Sequence, residues 1–126
     1  MTRKPASGFT LIELLVVMSI IALLLSIAAP RYFNSVQKSK EAVLRQDLST
    51  MRDAIDKYYG DNGKYPDTLD DLVSKKYIRQ LPVDPLTDSA TSWTPIASPD
   101  ADKSGIYDLH SGAPGNGHDG SAYANW

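Results

Sequence analysis

Lys4-Pro5-Ala6-Ser7-Gly8-Phe9-Thr10-Leu11-Ile12-Glu13 leads without a break into apolar residues that run to Pro30. The stretch joins a short basic leader, a glycine, a phenylalanine and one carboxylate at the start of an otherwise greasy helix. Between Phe9 and Pro30 the only polar side chains are Thr10, Glu13, Ser19 and Ser26. These 22 residues, at ~1.5 Å rise each, suffice to cross a ~30 Å hydrocarbon core. A bare anchor has no use for Glu13. A carboxylate inside a membrane helix costs roughly 2.5–3.5 kcal/mol on insertion scales, so it marks a functional site that lacks a positive partner.

Two plainer readings fit less well. As a cleaved secretory signal, the apolar run is longer than the usual ~7–15 residues and a charge interrupts its start. Ala28-Ala29-Pro30-Arg31 is also a poor cleavage site, because proline adjoins the bond to be cut. As an uncleaved signal anchor, the hydropathy fits but Glu13 has no explanation.

Gly8-Phe9-Thr10-Leu11-Ile12-Glu13-Leu14-Leu15-Val16-Val17 resembles the prepilin signature of type IV pilins and type II secretion pseudopilins. The resemblance implies a leader of residues 1–8, cut by a prepilin peptidase between Gly8 and Phe9, with N-methylation of the new amino terminus to give N-methylphenylalanine. It also implies that Glu13, at the fifth mature position, pairs with the amino terminus of a neighbouring subunit during assembly. Pro30 falls near the end of the apolar run, as in the family. The physics agrees: an unpaired carboxylate in low dielectric is costly, and docking a second subunit relieves it.

Composition suits a small exported, anchored protein. The 126 residues leave room for one domain. Removing Arg3 and Lys4 with the leader leaves 11 basic and 15 acidic side chains, a formal −4. The leader charges orient the amino terminus toward the cytoplasm. The expected location is therefore the inner membrane, single-pass, with the carboxy-terminal domain in the periplasm and extractable into a filament. No cysteine is present to staple the fold. No basic patch with interleaved aromatics supports nucleic-acid binding.

Beyond Pro30 the pattern turns amphipathic. Val36, Lys40, Leu44, Leu48, Met51, Ile55 and Tyr58 follow helical spacing, with Lys38, Glu41, Arg45, Asp47, Arg52, Asp53, Asp56 and Lys57 on other faces. The spacing predicts helix to about Tyr59, stopped by Gly60-Asp61-Asn62-Gly63 and broken or bent at Pro30. The division expected is 9–30 as transmembrane and assembly helix, 31–59 as amphipathic helix, and 60–126 as a small α+β periplasmic domain. In that domain Asp67 is expected to cap a short helix over 68–76, with Leu69, Leu72 and Val73 inward. Leu81-Pro82-Val83-Asp84-Pro85 reads as extended loop. Ser92-Trp93-Thr94-Pro95-Ile96 and Gly105-Ile106-Tyr107-Asp108-Leu109 read as an antiparallel pair, the first at an edge because of Pro95. The glycine-rich tail, 111–126, reads as loop, with Tyr123 and Trp126 docking on the domain.

Asn62-Gly63-Lys64-Tyr65-Pro66, Tyr77-Ile78 with Leu81-Pro82 and Asp84-Pro85, and Tyr107-Asp108-Leu109 with Ser111-Gly112-Ala113 resemble, in order, the major pseudopilins of type II secretion. That narrower resemblance implies a pilin-like α+β fold and a homopolymeric helical filament that drives folded proteins through an outer-membrane secretin. Partners implied are the prepilin peptidase, minor pseudopilins and an inner-membrane assembly platform. It further implies calcium in the carboxy-terminal loop, but Gly112-Ala113-Pro114-Gly115 lacks an aspartate that relatives tend to carry. Asn116, Asp119 and Ser121 remain as candidate oxygen ligands. Asp100 and Asp102 form a rival site like half an EF-hand loop, without the bidentate glutamate or flanking helices. The alternative is two solvated acidic turns.

Other motifs fail on context. Gly115-Asn116-Gly117-His118-Asp119-Gly120 matches a dinucleotide fingerprint but opens no helix. Two histidines and no cysteine make a poor zinc set. No constellation suggests an enzyme. The rivals to a secretion pseudopilin are a type IV pilin of a surface fibre or DNA-uptake filament, and a membrane-anchored periplasmic binding module that does not polymerise.

Overall fold

A computed structural model describes residues 7–126, so residues 1–6 of the expected leader lie outside the described residues. The long helix α1, Leu11–Asn62, is followed by a short α2, Asp70–Ser74, strands β1, Thr94–Ala97, and β2, Ile106–His110, and a terminal 3-10 turn, Tyr123–Asn125. The fold is α+β and pilin-like. Two compact units divide the chain, Met1–Gln37 and Lys38–Trp126, with α1 contributing to both.

In the first unit the apolar residues of α1 have no cover. Leu11 is 88 % exposed, and Leu14, Leu15, Met18, Leu23, Leu24 and Ile27 are all more than half exposed. This is the one helix among the described residues long and apolar enough to cross a membrane. The two serines within its apolar run are already satisfied, Ser19 donating to the Leu15 carbonyl at 2.7 Å and Ser26 to that of Leu23 at 2.6 Å. Such back-bonding lets a hydroxyl sit at membrane depth without an orphaned donor. Pro30 lies inside α1 and does not end it. Of the break or bend expected there, the break does not occur: helix continues on both sides with one backbone hydrogen bond fewer.

The second unit is built on the α1 face that carries Leu44, Leu48, Met51, Ala54, Ile55 and Tyr58. Leu72, Trp93, Ile106, Leu109, Ala113 and Tyr123 close over that face to complete one core. Full burial of each large apolar side chain is worth about 1.5–3 kcal/mol. The Trp93 indole N–H, buried with its ring, donates to the Pro82 carbonyl at 2.9 Å. Helical spacing located most of this face but placed Lys40 on it and Glu41 off it. Lys40 is exposed, and Glu41 is buried at 8 % exposure.

α1 outlasts the expected stop by three residues. Gly60 is helical, and the left-handed residue that terminates the helix is Gly63, at φ 69°, whose N–H donates to the Tyr59 carbonyl at 2.8 Å. α2 is shorter than expected and Asp67 does not cap it. Instead the Asp71 carboxylate reaches back to the backbone N–H groups of Asp67 and Thr68, at 3.1 and 3.2 Å. Only Leu72 of the three inward candidates is fully buried.

β1 and β2 pair antiparallel, with Pro95 opposite Leu109 and an irregularity between Ile96 and Ala97. In a two-stranded sheet both strands are edges, so Pro95 removes no central ladder bond. Trp93 is left out of the strand and used in the core. Gly105 enters β2 at φ 119°, where an added Cβ would stand 2.6 Å from the Tyr65 carbonyl oxygen. The neighbouring Ile106 N–H donates to the Pro66 carbonyl at 2.8 Å, which holds the two segments this close.

Candidate processing and assembly site

The residues singled out at the amino terminus gather at the start of α1. Gly8 has open space where a side chain would be, and Phe9 is 85 % exposed. Their peptide bond lies ahead of the first helical residue, Leu11, in a segment without regular secondary structure. Thr10 and Glu13 then close a reciprocal pair. The Glu13 N–H donates to Thr10 Oγ1 at 3.1 Å, and the Thr10 N–H donates to Glu13 Oε2 at 3.0 Å.

This is a capping box, which satisfies two of the four backbone donors a helix start leaves open. Sequence reading treated Glu13 as a charge without a partner and missed the local one. The signal was present in the spacing of Thr10 and Glu13 just before an apolar run. The negative charge also sits favourably at the positive end of the helix dipole. Phe9, Ile12, Glu13, Val16 and Val17 form one groove-lining face, so among the described residues the carboxylate is flanked by apolar side chains.

The second set of candidates lies in the tail. Asp119 Oδ1 accepts from the Ser121 N–H at 3.0 Å and from its hydroxyl at 2.6 Å, while Oδ2 lies 3.4 Å from Arg45 Nη2. The two bonds from Ser121, aided by the Arg45 charge, hold the Asp119 carboxyl below its usual pKa. Ser121 Oγ in turn accepts from the Trp126 indole N–H at 2.6 Å. Asn116 bridges to Ala122 across the loop. Asp100 and Asp102 are exposed, and Asp100 Oδ1 accepts from the Asp102 N–H at 3.1 Å.

Among the described residues no three His, Cys, Asp or Glu side chains gather as a metal cluster. Calcium takes about 6–8 oxygen ligands and favours several carboxylates. The tail offers the one carboxylate of Asp119, already bonded at both oxygens and faced by a guanidinium. These residues do not fit calcium.

Sequence reading missed the polar contacts that Glu41 and Arg52 make across the fold. Glu41 Oε1 accepts from Tyr123 Oη at 2.7 Å and from the His118 N–H at 3.1 Å, and stands 3.0 Å from His118 Nδ1. Arg52 Nε donates to Asp108 Oδ1 at 2.8 Å, and Nη2 donates to the carbonyls of Leu109, at 2.9 Å, and Trp126. These partners lie 56–82 residues away in sequence, beyond the reach of any spacing rule.

A family model described as the prokaryotic N-terminal methylation motif matches residues 3–29. The type II secretion system core protein G of Pseudomonas aeruginosa is 35% identical over 101 residues, covering 68% of this chain and 71% of the relative. The protein of the same name from Escherichia coli is 31% identical over 123 residues, covering 85% and 81%. That of Dickeya chrysanthemi is 29% identical, covering 94% and 97%. No solved structure gives a significant match. Each of these relatives is named a core protein of a secretion system, and the chain is not an enzyme. With the capped glutamate behind Gly8-Phe9, the uncovered apolar helix and the α+β domain beyond it, the chain belongs to the type II secretion system core protein G family.

Proposed function

We propose that this chain is the structural subunit of a periplasmic pseudopilus, and that its polymerisation drives export of folded proteins across the outer membrane. The observation that carries the reading is the uncovered apolar face of α1, from Leu11 to Ile27, with Glu13 at its head. So large an apolar surface requires lipid around a monomer or other copies of the helix in an assembly.

Processing comes first in this reading. The prepilin peptidase cuts the exposed, non-helical Gly8–Phe9 bond and the new amino terminus is methylated. The cut releases residues 1–8, leaves 9–30 as membrane and assembly helix, and leaves 31–59 to carry the periplasmic domain, 60–126. The product is a single-pass inner-membrane protein with that domain in the periplasm. Glu13 keeps its capping bond through Oε2 and offers its charge to the amino terminus of the next subunit. The homopolymer would work with minor pseudopilins, an inner-membrane platform and an outer-membrane secretin.

The test is quantitative proteomics of culture supernatant against periplasm, with and without this chain. Exoproteins trapped in the periplasm of the deletion strain are the expected result and name the cargo. An unchanged secretome with surface fibres lost would overturn the reading in favour of a type IV pilin. An intact mass showing an uncleaved leader, or an unmethylated Phe9, would sink both filament readings.

A further inference from the structure

We propose that the carboxy-terminal loop of this chain is fastened by side chains of α1 in place of calcium, with Glu41, Arg45 and Arg52 as the fasteners. The three lie four and seven residues apart, which brings them to one side of the helix. Each grips a different part of the tail or of the strand leading into it.

Glu41 holds the middle of the loop. One buried oxygen, Oε1, collects the Tyr123 hydroxyl, the His118 amide and the His118 ring. Arg45 holds the loop's one candidate metal carboxylate, Asp119, at 3.4 Å, and its guanidinium carbon lies 4.0 Å from the centre of the Trp126 ring. Stacking on an aromatic face while pairing with a carboxylate suits a planar guanidinium and not an ammonium. Arg52 ties the last residue, Trp126, to β2 through Asp108 and the Leu109 carbonyl.

A metal ion crosslinks a loop by drawing several oxygens to one positive centre. Here two positive centres are already covalently part of α1, at Asp119 and at Asp108. A doubly charged ion at Asp119 would have to displace Arg45 or share the carboxylate with it against charge repulsion. The remaining donors are also committed: Ser121 Oγ lies between Asp119 and Trp126, and Gly117 leaves the space into which the Trp126 ring packs. Pro114, within the same loop, supplies neither charge nor oxygen from its side chain. The guanidinium beside Asp119 thus puts a fixed cation where a bound one would have to sit.

The test uses the full chain in detergent micelles, with millimolar calcium chloride or excess EGTA. The readouts are thermal unfolding and limited proteolysis with cleavage mapped by mass to residues 111–126. The wild type should melt at the same temperature and be cut at the same rate in both buffers. Arg45→Met and Glu41→Gln should each raise loop cleavage about fivefold or more, equally in both buffers, with helix content unchanged. Arg45→Lys, which keeps the charge and loses the stacking, should fall between and guards against a variant that fails to fold. A melting point raised several degrees by calcium, or cleavage slowed by it, would overturn the proposal. Wild-type cleavage rates in both Arg45→Met and Glu41→Gln would overturn it equally.

Discussion

Thr10 and Glu13 are joined twice at the head of α1, hydroxyl to amide in one direction and amide to carboxylate in the other. Glu13 therefore has two separable properties, a reach that caps the helix and a charge that, under the proposed function, serves another subunit. Glutamine keeps the reach and loses the charge, whereas alanine loses both. If charge pairing drives assembly, Glu13→Gln and Glu13→Ala should both insert normally in the membrane and both fail to form filaments, scored by cysteine crosslinking between subunits. Filaments from Glu13→Gln but not Glu13→Ala would instead make the cap the feature that matters.

Thr10→Val isolates the other half of the box. It keeps the shape and β-branching and removes the hydroxyl that accepts from the Glu13 N–H. Loss of such a cap costs about 0.5–2 kcal/mol of helix start. The expected outcome is fraying limited to the first turn, seen as faster amide exchange at 11–14 in micelles, with cleavage between Gly8 and Phe9 retained. Protection equal to wild type would show that the bilayer-facing turn needs no cap.

Arg52 bridges strand and terminus, and its replacement should be felt in the whole second unit. Its bonds to Asp108 and to two carbonyls are partly buried, and charge-assisted bonds of this kind contribute about 1.5–3 kcal/mol net. Arg52→Lys cannot reproduce the fork and should recover little of the stability lost in Arg52→Ala. Thermal melts of the two variants check this; a lysine variant as stable as wild type would reduce Arg52 to a point charge.

The long helix, the membrane-length apolar run and the antiparallel pair were legible because each is written in a short local stretch: helical spacing beyond Pro30, unbroken apolarity before it, and two apolar or aromatic segments bounded by turn residues. The docking of Tyr123 and Trp126 was legible from their size and apolarity; Tyr123 is buried and the rings meet edge to face at 5.0 Å. Glu41 was not, since helical spacing assigns a carboxylate to solvent unless its partner is known, and His118 and Tyr123 arrive from the far end of the chain. The cap of α2 was misplaced for a related reason: a carboxylate within the helix, Asp71, took the backbone donors that Asp67 was expected to satisfy. Thr10 and Glu13 lie only three residues apart and were legible in principle. The membrane cost of a charge drew attention from the hydrogen bond beside it.

Asp47 should be a site where removing charge helps. Partial burial, and then the negative charge of Asp84, raise its carboxyl above the usual value of 3.8. A raised carboxyl penalises the folded state at any pH where it is ionised, and the penalty disappears once folded and unfolded forms are both protonated. Asp47→Asn should therefore melt higher than wild type at neutral pH, with the gain shrinking as pH falls through the raised folded value and gone below about 3.8. A gain that persists unchanged at low pH would assign the effect to packing.

Glu41 gives the opposite dependence. Burial alone would raise its carboxyl, but the hydrogen bonds from His118 and Tyr123, with the charge on His118, outweigh burial and hold it below 4.5. A depressed carboxyl contributes stability that is fully present above the unfolded value and is lost as pH falls through the lower folded value. Wild type should therefore lose stability progressively below about pH 4.5, and the loop 111–126 should become open to protease in the same range. Glu41→Gln cannot titrate, so it should be less stable than wild type at neutral pH and should converge with it in acid. Parallel melting curves for the two proteins down to the lowest pH would mean that Glu41 is held by packing alone. Convergence would place the acid sensitivity of the tail on one carboxylate of α1, reached from residues 118 and 123.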